Sequence, residues 1–396
     1  MRRLLWIGDA ACQSGFARNT HALVEALKPG WDVSVLGINY LGDPHRYPYD
    51  IYPAFSGGDP FGIARLPYVL KVVNPDVVVI QNDPWNFPVY LKTIQKHAPT
   101  VPIAGVVAVD GLNCKGEALN GLALAAFWTQ FGLDEARRGG FTGTAAVVPL
   151  GVDLDVYKPM DRLEARRALK FPEALKEAFI IGNVNRNQQR KRLDLSIEYF
   201  AEWVRSKQVT NAYLFLHVAP TGDQNGYDCQ QLARYYGVEE RLILRVPPVR
   251  VGPSDHVVAQ SYAAFDVQMT TTQGEGWGLT TMEGMACGIP QIVPDWSALG
   301  EWTDDAAVKV PCLTTAVTPD TINVVGGIAD KAIYVKALDR LYRSQWARRE
   351  LAARGQRLVA QPQFRWAACG LRFADALEQA LAEIPEPVPV EVGAHG

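Results

Sequence analysis

Short apolar runs rich in β-branched residues alternate along this chain with segments whose apolar positions follow a helical period. The first pattern predicts buried parallel strands, the second helices packed over them. Strands are expected at residues 3–7, 33–38, 77–81, 103–109, 122–128 and 145–150, and again at 179–183, 213–218, 242–246, 265–269, 291–293 and 307–310. Helical spacing is clearest at residues 16–27, 193–203 and 279–286. Two successive sets of strands imply an α/β protein with two Rossmann-like domains facing each other over a cleft. The break between them falls at residues 151–159, GVDLDVYKP, which lack periodicity and end in proline. The last residues, 385–396, carry PEPVPVEV and read as an extended, disordered tail.

Composition narrows the class. At 396 residues, 48% hydrophobic and 20% charged, the chain is long and apolar enough for two large cores. No apolar run has the length of a bilayer span. The opening MRRLLWIGD is broken by Gly8 and Asp9 too early for a secretory h-region, and reads as a first buried strand. Six scattered cysteines, without CxxC or metal-ligand spacing, point to reduced thiols in a cytoplasmic protein. The net charge of −3 argues against a surface that coats nucleic acid, although a local basic patch stays open.

Candidate chemistry concentrates in residues 274–290, GEGWGLTTMEGMACGIP. Glu275 and Glu283 stand on either side of a glycine-rich turn that runs into a helix start. Gly276 and Gly278 let backbone approach a ligand closely. The first amides of the helix, at Leu279 and Thr280, form a ready site for phosphate or sugar oxygens. Carboxylates accept from sugar hydroxyls while backbone N–H groups take an anion, so the set suits a polyhydroxyl ligand carrying phosphate. An ordinary strand–loop–helix connection with a solvated glutamate at each end is the alternative. The full string is more specific than that. It resembles the E-x7-E signature of retaining GT-B glycosyltransferases, a family 4-like group that includes many sucrose, trehalose, mannose and glucose transferases.

Two further segments extend the resemblance. Residues 182–194, GNVNRNQQRKRLD, place Arg186 and Lys191 at the spacing of that family's R-x4-K pair, above a strand's C-terminal end. By resemblance this pair holds the donor diphosphate and stabilises the departing nucleotide, and Arg190 and Arg192 are left as surface charges. Residues 9–19, DAACQSGFARN, put Ser14 and Gly15 where the family has Gly-Gly, and lack a dinucleotide fingerprint. Gly15 is expected at the donor phosphates, whereas Arg18 either adds charge there or is an exposed first-turn arginine. One departure stands out. Where many relatives carry a histidine, residues 106–111 read VVAVDG, and Asp110 either takes part of its place or caps a turn. Asn82 and Asp83, with Trp85, form a polar cluster suited to an acceptor, or equally a capped helix start. Val249, after two prolines, falls where relatives contact the base. Trp277, counted with the donor-binding residues, replaces the usual Phe of the signature and is expected to pack under the loop, and His217 ends a strand, either lining the cleft or serving as a satisfied structural histidine.

The resemblance implies a GT-B arrangement. Residues 1–152 would bind the acceptor and be joined by a C-terminal helix, 362–384, crossing back to them, while 153–361 would bind the donor. It also implies transfer of a hexose or pentose from a nucleotide-diphosphate sugar to an acceptor hydroxyl, with Glu275, Arg186 and Lys191 at the reacting centre. Glu283 would hold the ribose. Neither a protein nucleophile nor a metal or other cofactor is expected. The acceptor stays open between a small molecule, a glycan and DNA bearing hydroxymethylated bases. Equal numbers of acidic and basic residues in 1–150 weaken the case for a lipid acceptor. A phosphorylase, an epimerase or a non-catalytic sugar-binding protein are the competing classes. Base, sugar and oligomeric state are not encoded in any motif found.

Overall fold

The computed structural model describes residues 1–384 apart from residues 13, 56–57, 219–225, 246–252 and 320–321. The expected tail at 385–396 and the end of the strand expected at 242–246 therefore lie outside the described residues. The described chain forms two seven-stranded sheets. In the first, β1 (Arg2–Asp9), β2 (Trp31–Ile38), β3 (Ile51–Pro53), β4 (Val77–Asn82), β5 (Ile103–Val107), β6 (Leu124–Phe127) and β7 (Ala145–Val147) lie in the order β3-β2-β1-β4-β5-β6-β7. The second contains β8 (Phe179–Val184), β9 (Ala212–His217), β10 (Leu242–Arg245), β11 (Val267–Met269), β12 (Gln291–Asp295), β13 (Ala307–Val317) and β14 (Val325–Ala329). Its order is β10-β9-β8-β11-β12-β13-β14. Every neighbouring pair is parallel except β13 with β14.

Central strands such as β1 and β4 are buried on both faces, which is why Leu4–Ile7 and Val77–Ile80 read as unbroken apolar runs. The expected strands all appear within a few residues. Two strands have no counterpart in the pattern. β3 is three residues long and ends in Pro53, a sheet-edge composition. β14 contains Gly326 and Gly327, and the outer half of β13 is exposed because it leaves the sheet as a two-stranded ribbon.

The predicted return of the C-terminal helix is seen in Trp366–Ala382. Phe373 meets Trp6 edge-on, and Glu378 accepts from Trp31 Nε1 at 2.9 Å. Gly370 permits this packing, since a Cβ there would lie 2.4 Å from that of Ala26. The connecting segment is fixed beside the crossing, with Val152 N–H donating to Phe364 O at 2.9 Å.

Strand order reverses between β1 and β4 in one sheet and between β8 and β11 in the other. Ligands of open α/β sheets bind at such switch points, outside the carboxyl ends of the strands. The four loops that leave these strands carry most of the residues singled out above. The domains also touch directly. Leu112 and Val325 form an antiparallel bridge, at 2.9 and 3.0 Å. Glu301 caps the helix Gln130–Arg138 from the opposite domain, accepting from the amides of Gln130 at 3.0 Å and Phe131 at 2.6 Å.

Candidate active site

The turn after β11 is held from both sides. Ser297 Oγ accepts the Glu275 amide at 3.1 Å, and Thr272 Oγ1 donates to Gly274 O at 2.8 Å. Gly278 has φ +95°, a left-handed geometry that lets the helix Leu279–Ala286 begin at once. Gly274 is needed for a different reason. A Cβ there would lie 2.0 Å from Asp110 O, so the turn presses against the first domain. Gly15, on the loop after β1, lies against Leu279 at the start of the same helix. The β1 loop and the first turn of that helix therefore meet across the cleft.

Lys191 reaches Glu275 Oε1 at 2.5 Å. Arg190 does more than its neighbour. Its Nη1 lies 3.1 Å from Glu275 Oε2, its Nε lies 3.0 Å from Asp110 Oδ2, and it also donates to Gly274 O. A short 3-10 turn, Gln189–Lys191, aims both cations inward, and Gln273 N–H pins it by donating to Arg190 O at 3.0 Å. Burial alone would raise the Glu275 carboxyl, but Lys191 and Arg190 bring it below its usual range. Lys191 is itself lowered, by burial and by Arg190. Asp110 is raised by burial and by Glu275, against the pull of Arg190 and a hydrogen bond from Gly276 N–H. Asp83 is pushed up to about 8 by burial and by Asp110.

Glu283 lies deeper, at 2% exposure. Arg18 Nη1 meets its Oε1 at 2.6 Å, and the Tyr262 hydroxyl donates to Oε2 at 2.8 Å. Arg18 Nη2 also pairs with Asp255 at 2.6 Å. Burial raises the Glu283 carboxyl, with Arg18 and Tyr262 opposing it.

The surface readings of Arg190 and Arg18 need correction. Arg186 is exposed, and among the described residues its side chain forms no ion pair or hydrogen bond. Arg190, read as a surface charge, takes the contact with Glu275 because the 3-10 turn rotates it inward. Arg18 is likewise an interdomain ion-pair partner and not a solvated arginine. Arg192 pairs with Asp194 at 2.7 Å on its own helix. Trp277 packs under the loop as expected, 3% exposed and stacked on Trp302 at 5.1 Å. Asn82 turns its carboxamide oxygen to its own loop, accepting Asp83 N–H at 2.9 Å and Asn86 Nδ2 at 2.8 Å. His217 takes the structural reading, buried against Ser261, where burial lowers it to about 4. Val249 lies outside the described residues. Among the described residues no cluster of His, Cys, Asp and Glu is arranged to hold a metal ion, and no helix is long and apolar enough to cross a membrane.

Spacing gave no signal for Arg190. Arg18 had one, since positions 14, 15 and 18 share a helix face that already carried the phosphate-loop candidates. Asp255 and Tyr262 are drawn in only by the tertiary fold.

The profile of a family described as "Family 4 Glycosyltransferase in conflict systems" matches residues 134–373. A D-inositol 3-phosphate glycosyltransferase of Geodermatophilus obscurus is 34% identical over 233 residues, 57% of this chain and 46% of that protein. The enzyme of the same name from Streptosporangium roseum is 28% identical over 260 residues, 64% of this chain and 54% of that protein. The matches thus span about half the length of these relatives. Among solved structures, sucrose-phosphate synthase from Thermosynechococcus elongatus superposes with a TM-score of 0.74 at 17% identity, covering 96% of this chain and 100% of the other. Anabaena Alr3699/HepE in complex with UDP-glucose gives 0.70 at 16% identity, covering 96% and 100%. These likenesses establish the two-domain GT-B architecture.

Proposed function

Since the chain belongs to the family 4 glycosyltransferases of conflict systems, we propose that it moves a sugar from a nucleotide-diphosphate donor to an acceptor hydroxyl, with retention at the anomeric carbon. The observation that carries this reading is the convergence of Lys191 and Arg190 on Glu275, at a turn pressed against the opposite domain. Such a site offers a diphosphate two cations and a helix N-terminus, and offers sugar hydroxyls a carboxylate that stays ionised. The fold of a protein solved with UDP-glucose, Anabaena Alr3699/HepE, is consistent with a nucleotide sugar lying along this cleft.

In this mechanism the donor lies on the second domain. Its ribose hydroxyls donate to Glu283, and its phosphates meet Lys191 and the amides of Leu279 and Thr280. Glu275 and the Gly276–Gly278 backbone orient the sugar. The acceptor hydroxyl enters from the first domain beside Asp110 and Asp83. It attacks the anomeric carbon on the face that the diphosphate leaves. The bond from that carbon to the phosphate oxygen breaks, the bond to the acceptor oxygen forms, and the acceptor proton passes to the departing phosphate. Positioning and leaving-group stabilisation supply the rate, with no covalent enzyme intermediate. Because side-chain cations meet the phosphate charge, turnover is expected to survive EDTA. Arg186, exposed on the loop after β8, is assigned a lesser part in attracting the donor.

A thermal-shift screen of UDP-, GDP- and ADP-sugars, followed by proton NMR of the product made from the best donor, tests the reading. A stabilising donor and a product with the donor's anomeric configuration are expected. An inverted product would remove the retaining mechanism, and the absence of any stabilising nucleotide sugar would remove the function.

A further inference from the structure

Glu283 is enclosed by groups from three parts of the chain. Arg18 comes from the first domain, and Tyr157 from the segment that connects the domains. Tyr262, Asp255 and Cys287 belong to the second domain. Arg18 divides its guanidinium between two carboxylates, Nη1 on Glu283 and Nη2 on Asp255, each at 2.6 Å. The Tyr157 hydroxyl donates to the same Asp255 oxygen at 3.2 Å, and the guanidinium lies 5.8 Å from the Tyr157 ring. Burial and the nearby Glu283 charge push the Cys287 thiol up, out of its ordinary range, so it remains protonated beside the carboxylate. Among the described residues, Arg18 is the cation that faces Glu283.

A carboxylate as enclosed as Glu283 favours its neutral form unless a cation or hydrogen-bond donors hold the charge. Ribose hydroxyls bind an ionised carboxylate about twice as strongly as a neutral acceptor. In this structure both Glu283 oxygens are already engaged, so a ribose must share or replace one of the two contacts. Tyr262 is fully buried, whereas Arg18 has a second anion to rest on.

We propose that Arg18 is a positioning residue for the donor: acting from the opposite domain, it keeps Glu283 charged and aimed, then cedes one carboxylate oxygen to the ribose while staying on Asp255. The proposal rests on the assignment of Glu283 to the ribose. It links donor binding to the contact between domains, and explains why an arginine on the first domain sits on an acid of the second.

The test uses the full chain and, as probe, whichever of UDP, GDP and ADP raises its melting temperature most. Calorimetric affinities are compared between about pH 6 and about pH 8. Wild type is expected to bind with little pH dependence. Without the guanidinium, Glu283 holds its proton to higher pH. Arg18→Met should therefore bind about tenfold more weakly at the acid end, recover toward the alkaline end, and be rescued by Arg18→Lys. Arg18→Gln supplies the same comparison should the methionine variant fail to fold. Glu283→Gln should weaken binding at every pH, and adding Arg18→Met to it should bring no new pH dependence. If Glu283→Gln weakens binding while both neutral Arg18 variants match wild type at every pH, the role given to Arg18 is wrong and the ribose assignment stands. If Glu283→Gln binds like wild type, the ribose assignment itself fails.

Discussion

Glu275 and Glu283 belong to one short motif, and both are nearly buried, yet their surroundings oppose each other. Glu275 has two cations, Lys191 and Arg190, and its carboxyl falls below the usual range. Glu283 shares one cation with Asp255, and its carboxyl rises. The first acid is fixed in its ionised state by two cations of its own domain, one of which, Arg190, also reaches Asp110 of the opposite domain. The second is raised by burial, with Arg18 and the Tyr262 hydroxyl opposing that rise. Identical side chains in one motif can therefore be assigned different work from the number of cations that reach them.

The most severe test of this contrast removes the cation that only Glu275 touches. Lys191→Ala is expected to lower turnover by roughly 10²- to 10³-fold, with the circular dichroism spectrum unchanged. Near-normal turnover would break the assignment of the Glu275 cluster. Next, Glu275→Gln should cut turnover by about 10²-fold and also lower the melting temperature, because it leaves Lys191 and Arg190 enclosed without their shared anion. Glu283→Gln removes an acid with one cation, so its melting temperature should fall less. Equal losses would erase the distinction between the two acids.

A smaller difference separates the two arginines. Arg190→Ala should reduce kcat/KM about tenfold more than Arg186→Ala, whose effect should lie mainly in KM. The reverse ranking would return the phosphate role to Arg186. The smallest effect concerns Asp83, whose folded value of about 8 lies above the ordinary 3.8. The native state then keeps a proton that the unfolded chain releases. Stability from this group is full below about pH 4 and is lost as pH rises to about 8. Asp83→Asn should therefore gain on wild type by several degrees of melting temperature between acid and alkaline buffer. Parallel curves would show that Asp83 is not held neutral.

The fold was legible because its central strands are buried on both faces, so runs such as Leu4–Ile7 need no partner to be recognised. β3 and β14 escaped for the opposite reason, being short, at an edge or rich in glycine. At the site, local spacing was enough to single out Glu275, Lys191 and the Gly278 helix start as candidates, since they lie within two continuous segments. It could not foresee the contact of Arg190 with Glu275. That contact depends on a 3-10 turn pinned by Gln273, distant in sequence. Arg18, Asp255 and Tyr262 meet Glu283 only when two domains and their connector come together. No one-dimensional pattern contains that information.

The central claim is that Lys191 and Glu275 handle the diphosphate and the sugar of one donor. Its most direct test follows nucleoside diphosphate release by phosphorus NMR from UDP-, GDP- and ADP-sugars, with water or an added polyol as acceptor. Release from at least one donor by wild type, reduced at least about a hundredfold by Lys191→Ala, is the predicted result. Equal release by the two proteins, or none from any donor, would contradict the account.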